Sequence, residues 1–430
     1  MIKKKISYLL IFYWIFLWGS INTTPYEIIN FGRSFIESIN SIRILVPLIL
    51  SIFIILYFFF LLTFKKIEIK KISIFFFLFF LSQIIGVYLN EERNFDIYNL
   101  YLVILAIGTL CLFPLLDYFR LNYLIKYFFI FTIFFLLIIV IFFISLKFNE
   151  IKNVGFYIAF DKHETNIFLQ ANSRITGISR MLAIINLFLI LIFFNFKNFY
   201  LKKFTMLVII FISILLFFMQ SRGTLLCYFS SLAFIILFLS KKDSDFKIKY
   251  FLILVILPPI LYFFINKNYN QIIEHPPEKN ISLNTNNRNL SISSSGRYEI
   301  YSYTIKNYDY KKIFGYGPNG DRYFLKNFNK KYVYGDNTSN IFLYSLVSGG
   351  FVSLFFIIKI FYNILRILFQ NYKKNISIHD TYNKFSIACL IFFFFRSFFE
   401  NSFGVFSVDF LITYISITWL IISYNKFKIK

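Results

Sequence analysis

Apolar residues in this chain come in long unbroken runs, with short polar clusters between them. The runs fall at about 7–21, 43–64, 72–90, 97–116, 127–146, 181–196, 204–219, 224–240, 250–266, 341–363, 383–400 and 405–424. A hydrocarbon core of ~30 Å asks for about 20 residues of helix. The runs at 7–21, 181–196 and 204–219 are short and borrow flanking aromatic residues. Their continuity excludes the alternating segments of a membrane β-barrel. The pattern predicts an all-α, polytopic membrane protein with about 12 transmembrane helices.

Composition agrees. The 430 residues are 58% hydrophobic and 15% charged, and the mean hydropathy is +0.67. A soluble domain carries about 25% charged residues. The formal net charge of +24 suggests nucleic acid, but the lysines sit in short clusters between apolar runs and not on one soluble face. They include Lys65, Lys66, Lys70 and Lys71, then Arg120 and Lys126, then Lys197, Lys202 and Lys203, then Lys241 to Lys249, then Arg366, Lys373 and Lys374. Intervening loops hold Glu91, Glu92 and Asp96. Basic residues crowd cytoplasmic loops, so both termini are expected in the cytoplasm and no nucleic-acid partner is expected. Lys3, Lys4 and Lys5 precede the first run without a small-residue cleavage site, which reads as a signal anchor. Cys111, Cys227 and Cys389 lie in or beside apolar runs with no metal-ligand spacing.

The same topology divides the chain into membrane helices over 1–266, a long outer loop over 267–340, and membrane helices over 341–430. The first half of the loop is polar (NTNNRNLSISSS), and the second half regains aromatic residues and is expected to pack. A shorter outer loop runs over 147–180.

The unusual charges then fall on one face. Arg174 and Arg180 stand at the outer start of the sixth run, Arg222 between the seventh and eighth, and Arg297 in the long loop. Asp336 and Asn337 enter the tenth run, and Arg396 and Glu400 end the eleventh. A charge costs roughly 2.5–3.5 kcal/mol at the bilayer centre and less toward the interface. It persists where it is paired, hydrated or useful. Several guanidiniums together suit an anion such as pyrophosphate, because each offers forked donors and stays charged. Each also has a plainer reading. Arg174 and Arg180 could snorkel, Arg222 could anchor a hairpin, and Arg297 could be a solvated loop charge. Arg396 and Glu400, spaced i, i+4, could form a local ion pair. Gly315 and Gly317 could be ordinary turn residues. Asp336 could be a general base or a helix N-cap.

The stretches RITGISR (174–180), SRG (221–223), SGRYEIYSYTIKNYDYKKIFGYGPNG (295–320) and DNTSNIFLYSLVSGGFVSL (336–354) resemble those of the O-antigen polymerase and O-antigen ligase superfamily of bacterial inner membranes. The resemblance implies a GT-C-type multispanning glycosyltransferase with a periplasmic active site. It implies undecaprenyl-pyrophosphate-linked glycan as donor and acceptor, and no metal or nucleotide cofactor. A chain-length regulator and a flippase are the implied partners. Arg174, Arg222 and Arg297 would hold the pyrophosphate, and Asp336 stands where ligases carry a functional His. That favours polymerase, with Glu400 the second candidate for the base. Ligase and other exopolysaccharide polymerases are alternatives within the enzyme class. A flippase or transporter of lipid-linked glycan is the alternative outside it, and would place its ionisable groups near the midplane.

The topology has a direct check. A reporter fused after Lys71 or Lys249 should read cytoplasmic, and one fused within 280–330 should read periplasmic. A cytoplasmic signal from the latter contradicts the orientation.

Overall fold

The structure is a computed structural model that describes residues 2–21, 32, 35–67, 69–89, 97–152, 159, 175–194, 198–239, 259–261, 297–326, 337–373 and 381–429. Among these residues every regular element is a helix. In chain order they are α1 (Ile2–Gly19), α2 (Phe35–Thr63), α3 (Lys71–Leu89), α4 (Ile97–Tyr118), α5 (Leu124–Leu146), α6 (Ile175–Phe193) and α7 (Phe199–Phe218). Then follow α8 (Arg222–Leu239), α9 (Arg297–Asn307), α10 (Gly320–Phe324), α11 (Ile341–Lys373), α12 (Thr381–Arg396) and α13 (Val408–Ile429).

Eight of these, α2 to α7, α11 and α13, are long and apolar enough to cross a membrane. The expected runs at 7–21, 224–240 and 383–400 fold as the helices α1, α8 and α12. Most of the run at 250–266 lies outside the described residues. The membrane reading explains an otherwise odd surface. Large apolar side chains such as Phe53, Leu56, Phe134, Ile141, Phe204, Phe211, Phe355 and Tyr362 are exposed on helix faces. In water such faces would drive aggregation, and in lipid they are solvated.

The core forms where helices turn their other faces to one another. The closest neighbours are α3 with α11, α12 with α13, α2 with α4, α8 with α12, and α6 with α7. Trp14 stacks on Phe128 at 4.8 Å and meets Phe113 edge-on. Phe76 contacts both Phe410 and Tyr414 edge-on. Buried polar groups join the helices: Tyr13 with Ser51 at 2.9 Å, Ser73 with Tyr414 at 2.8 Å, and Asn186 donating to Ser213 and Tyr228 at 2.8 and 3.0 Å. With no hydrophobic drive between helices in lipid, such bonds and close packing carry association.

One end of the bundle is marked by cations over aromatic rings. Lys126 lies 5.4 Å from the Tyr382 ring and 5.5 Å from the Trp419 ring. At the neighbouring turn, Lys202 lies over Phe193 and Lys203 over Phe199. Aromatic rings beside cations are the usual mark of a membrane–water boundary.

The long helix α11 is where structure departs most from sequence. The chain pattern predicts one straight span over 341–363. Instead Gly350 has φ 67° and ψ −162°, which interrupts the helix. The ring of Phe342 lies 4.9 Å from that of Phe361. In a straight helix a separation of nineteen residues spans about 28 Å, so the two arms fold back on each other. The short arm, 341–349, leads up to Gly350, and the long arm, 351–373, returns.

A reversal between two helices strands backbone groups that lipid cannot satisfy. A strap of chain, 313–317, supplies the partners. Tyr316 N–H donates to Val347 O and Gly317 N–H to Ser348 O, each at 2.7 Å, while Val352 N–H points to Ile313 O at 3.5 Å. The approach is so close that a Cβ on Gly315 would strike Val347 O, and one on Gly350 would strike Ile313 O. On the other side of the strap, a Cβ on Gly86 of α3 would lie 2.7 Å from Gly315 O. Asn319 ties the strap to α4 and α11: its side chain donates to Asn99 Oδ1 at 2.9 Å, and its N–H donates to Tyr344 Oη at 3.2 Å.

Gly350→Ala should therefore be destabilising twice over, through a backbone conformation that costs a side chain about 1–3 kcal/mol and through collision with the strap. Gly315→Ala tests the same contact from the opposite side. Thermal unfolding of the detergent-purified variants should show marked loss for both. Wild-type stability in both contradicts the strap arrangement.

Candidate functional site

The expected charges can now be placed. Arg180 lies one and a half turns into α6, Arg396 closes α12, and between them stands Asp409 in the first turn of α13. Arg180 Nη1 donates to Asp409 Oδ1 at 2.6 Å, and Arg396 Nε donates to Asp409 Oδ2 at 3.1 Å. One carboxylate thus joins two guanidiniums, and all three side chains are buried. Asp409 stands where α13, a helix long and apolar enough to cross a membrane, begins. A buried unpaired charge there is costly, so the three groups hold one another in place.

The local pair expected between Arg396 and Glu400 does not form. Arg396 turns to Asp409, and Glu400 reaches instead to Arg297, with Oε1 3.6 Å from Nη2. Each side chain has another partner, although the backbone still turns helically here, with Glu400 N–H donating to Arg396 O at 2.9 Å. Arg297 and Glu400 are each about a third exposed or less, at 32% and 26%. The Arg297 guanidinium also lies 6.0 Å from the Phe399 ring centroid. Arg297 is the first residue of α9, and Tyr301 one turn on donates to Ser339 O at 2.9 Å. Burial pushes the Tyr301 hydroxyl up in pKa, with Arg297 pulling it back.

Arg222 is exposed at the first position of α8. The turn before it is held by Ser221 and Ser179, both donating to Thr224 Oγ1, at 2.9 and 3.3 Å. Gly223 beside it faces Phe399, since a Cβ there would lie 4.0 Å from Phe399 Cβ. Phe399 is thus flanked by Arg222's helix on one side and Arg297 on the other. The structure brings Arg180, Arg297, Arg396 and Glu400 into one charge network, with α8 and its Arg222 against the same segment. Within the network three guanidiniums face two carboxylates, an excess of positive charge near two groups that water reaches.

Arg174 and Asp336 lie outside the described residues. Asn337 is described and serves a local turn, its Oδ1 accepting from Ser339 N and Oγ at 3.0 and 2.8 Å. The N-cap role offered for Asp336 is filled by Asn340, whose Oδ1 accepts from Phe342 N and Leu343 N at 2.9 and 3.2 Å. Ile341 N–H donates to Ser397 O at 3.0 Å, which docks the start of the short arm directly on the end of α12. Gly315 and Gly317 belong to the strap at the helix reversal and not to the charge network.

Two acids escaped the sequence reading. Asp409 opens an apolar run on the face where the arginines gather, and the argument that singled them out applies to it equally. Asp321, fully buried in α10, accepts from Thr338 N and Oγ1 at 3.0 and 3.1 Å and from Arg322 N at 3.0 Å. It pins the turn that leads into α11. Burial pushes its carboxyl up in pKa against the pull of those donors and of Arg322.

This defines the class: a helical membrane protein with a buried arginine–aspartate triad where α6, α12 and α13 meet. A sequence model of the family described as O-antigen ligase matches residues 206–358. That stretch runs from α7 through α8, α9, the strap and the reversal, and includes Arg222, Arg297, Asp336 and Asn337. It supports the resemblance to the O-antigen ligase and polymerase superfamily. No curated protein and no solved structure matches the chain.

Removing the shared carboxylate leaves two buried guanidiniums facing each other. Asp409→Asn should destabilise by about 3–5 kcal/mol, the range for breaking a buried ion pair. Glu400→Gln, at a partly exposed pair, should cost about 0–1 kcal/mol. Scanning fluorimetry on Trp14, Trp18 and Trp419 reads both, and equal stability of the two variants contradicts the assignment.

Proposed function

We propose that the protein is an O-antigen polymerase, a glycosyltransferase joining undecaprenyl-pyrophosphate-linked oligosaccharide repeat units at the periplasmic face of the inner membrane. The observation that carries the reading is the pair of solvent-reached guanidiniums, Arg222 and Arg297, inside the region that matches the O-antigen ligase family, with Arg297 held by Glu400, and with the Arg180–Asp409–Arg396 triad on segments outside that region.

In this reading the donor is a growing glycan on undecaprenyl pyrophosphate, and the acceptor is the terminal sugar of one new lipid-linked unit. Arg222 and Arg297 take the pyrophosphate oxygens, since both lie where solvent reaches them and Arg matches phosphate with two parallel donors. Arg174 joins them by its match to the family motif. As the acceptor hydroxyl attacks, its oxygen bonds to the donor's anomeric carbon and the bond from that carbon to the pyrophosphate oxygen breaks. Undecaprenyl pyrophosphate leaves, carrying the charge that the guanidiniums hold. The hydroxyl proton passes to the Asp336 carboxylate, with Asn337 shaping the turn beside it. Arg180 and Arg396 act through Asp409 by fixing the ends of α6, α12 and α13 around the site. No metal or nucleotide is required. A chain-length regulator and a flippase are the partners of such a reaction, and the helices would be those of a GT-C scaffold.

O-antigen ligase is the second reading, favoured by the description of the matching family. Asp336 in place of the ligase His argues for polymerase. Transport is less suited, because the deep charges are closed by their own pairing and are almost inaccessible.

Lipopolysaccharide from a deletion strain separates the enzyme readings: core plus one repeat for a polymerase, bare core for a ligase. In complemented strains, Arg297→Lys and Asp336→Asn should each express normally yet yield only single-repeat lipopolysaccharide. A full ladder from either variant contradicts its assigned role.

A further inference from the structure

The long arm of α11 carries an exposed apolar stripe of Phe351, Phe355, Ile358, Tyr362, Leu365 and Phe369. Its repeat of four and three residues keeps one face to lipid, and its eighteen-residue length gives about 27 Å, close to a hydrocarbon thickness of ~30 Å. The bilayer boundary at this side of the molecule therefore falls near Phe351, at the helix reversal.

What surrounds Phe351 has the chemistry of that boundary. Tyr308 and Tyr310 both meet its ring at 6.4 Å. Ile305, Tyr310 and Ile313 are at least half exposed, although the strap and α9 bury their opposite side through Ile300, Thr304 and Tyr308. Lys306 and Lys311 are exposed among these side chains, and Lys312 lies 4.0 Å from the Tyr316 ring centroid. Asp309 is the one acid between 305 and 313. Apolar and aromatic side chains with cations beside them, continuous with a lipid-facing stripe, match neither a water-solvated loop nor a packed core.

We propose that α9 and the turn after it form a membrane-surface element whose Lys306 and Lys311 bind the anionic headgroups of phospholipids, with Ile305, Tyr310 and Ile313 seated at the boundary. The strap that closes the helix reversal is thereby fixed at the height of the lipid surface, and the charge network lies inward of it. The partner is an anionic phospholipid and not the glycan.

The full chain in nanodiscs tests this. Nitroxide labels at Ile305→Cys and Ile313→Cys, with the unsubstituted chain as control for the buried Cys111, Cys227 and Cys389, report collision with oxygen and with an aqueous nickel chelate. Both labels should read headgroup depth, shallower than a label at Phe355→Cys. Native mass spectrometry of retained lipid gives the second readout. Each Lys near an anionic surface adds roughly a fivefold preference, so Lys306→Gln with Lys311→Gln should reduce the preference for phosphatidylglycerol over phosphatidylcholine about 25-fold. Full aqueous nickel access at both positions, or an unchanged lipid preference in the double variant, overturns the proposal. So does shielding that appears only when purified oligosaccharide is added, which would assign the surface to glycan.

Discussion

A helix that turns back within a membrane must find partners for the backbone groups it frees, and here those partners come from 313–317. The requirement is severe, because lipid offers no hydrogen bonds. It explains why Gly86, Gly315 and Gly350 all crowd one spot: three backbones converge there, and a single added Cβ on any of them meets a carbonyl oxygen. It also explains the rest of the local order. With the reversal fixed, the short arm of α11 starts beside the end of α12, and Asn340, Tyr301 and Ser397 bind the meeting point. The polar loop region and the membrane helices are thus one construction, with the strap as its joint.

Charge follows from that joint. The end of α12 carries Arg396 inward, where Asp409 and Arg180 complete a buried triad, and carries Glu400 outward to Arg297. The inner groups are paired so closely that they serve the architecture. The outer groups remain within reach of water, held by a longer contact.

Much of this was legible in the sequence, and the limits have physical causes. Apolar runs announced the helices because lipid forces both length and composition. Arginines at run ends stood out because charge is costly there, and Arg180, Arg297 and Arg396 each meet a carboxylate. The partner of each arginine was not legible, since pairing depends on where chain segments cross in space: Asp409 is thirteen residues from Arg396 yet outcompetes Glu400 at four. The reversal at Gly350 was hidden for a similar reason. The run at 341–363 is apolar on both sides of Gly349 and Gly350, and only the strap from thirty-five residues earlier turns it into a fold-back. Asp336 was read as either base or cap, and Asn340 takes the cap.

The proposed recognition of a pyrophosphate by Arg222 and Arg297 is read out by the affinity of the purified protein in nanodiscs for undecaprenyl pyrophosphate compared with undecaprenyl monophosphate. A charge-assisted hydrogen bond contributes about 1.5–3 kcal/mol, so the pyrophosphate should bind at least about tenfold more tightly. That advantage should vanish when both arginines are replaced by Ala. Equal affinity for the two lipids in the unaltered protein would contradict the account.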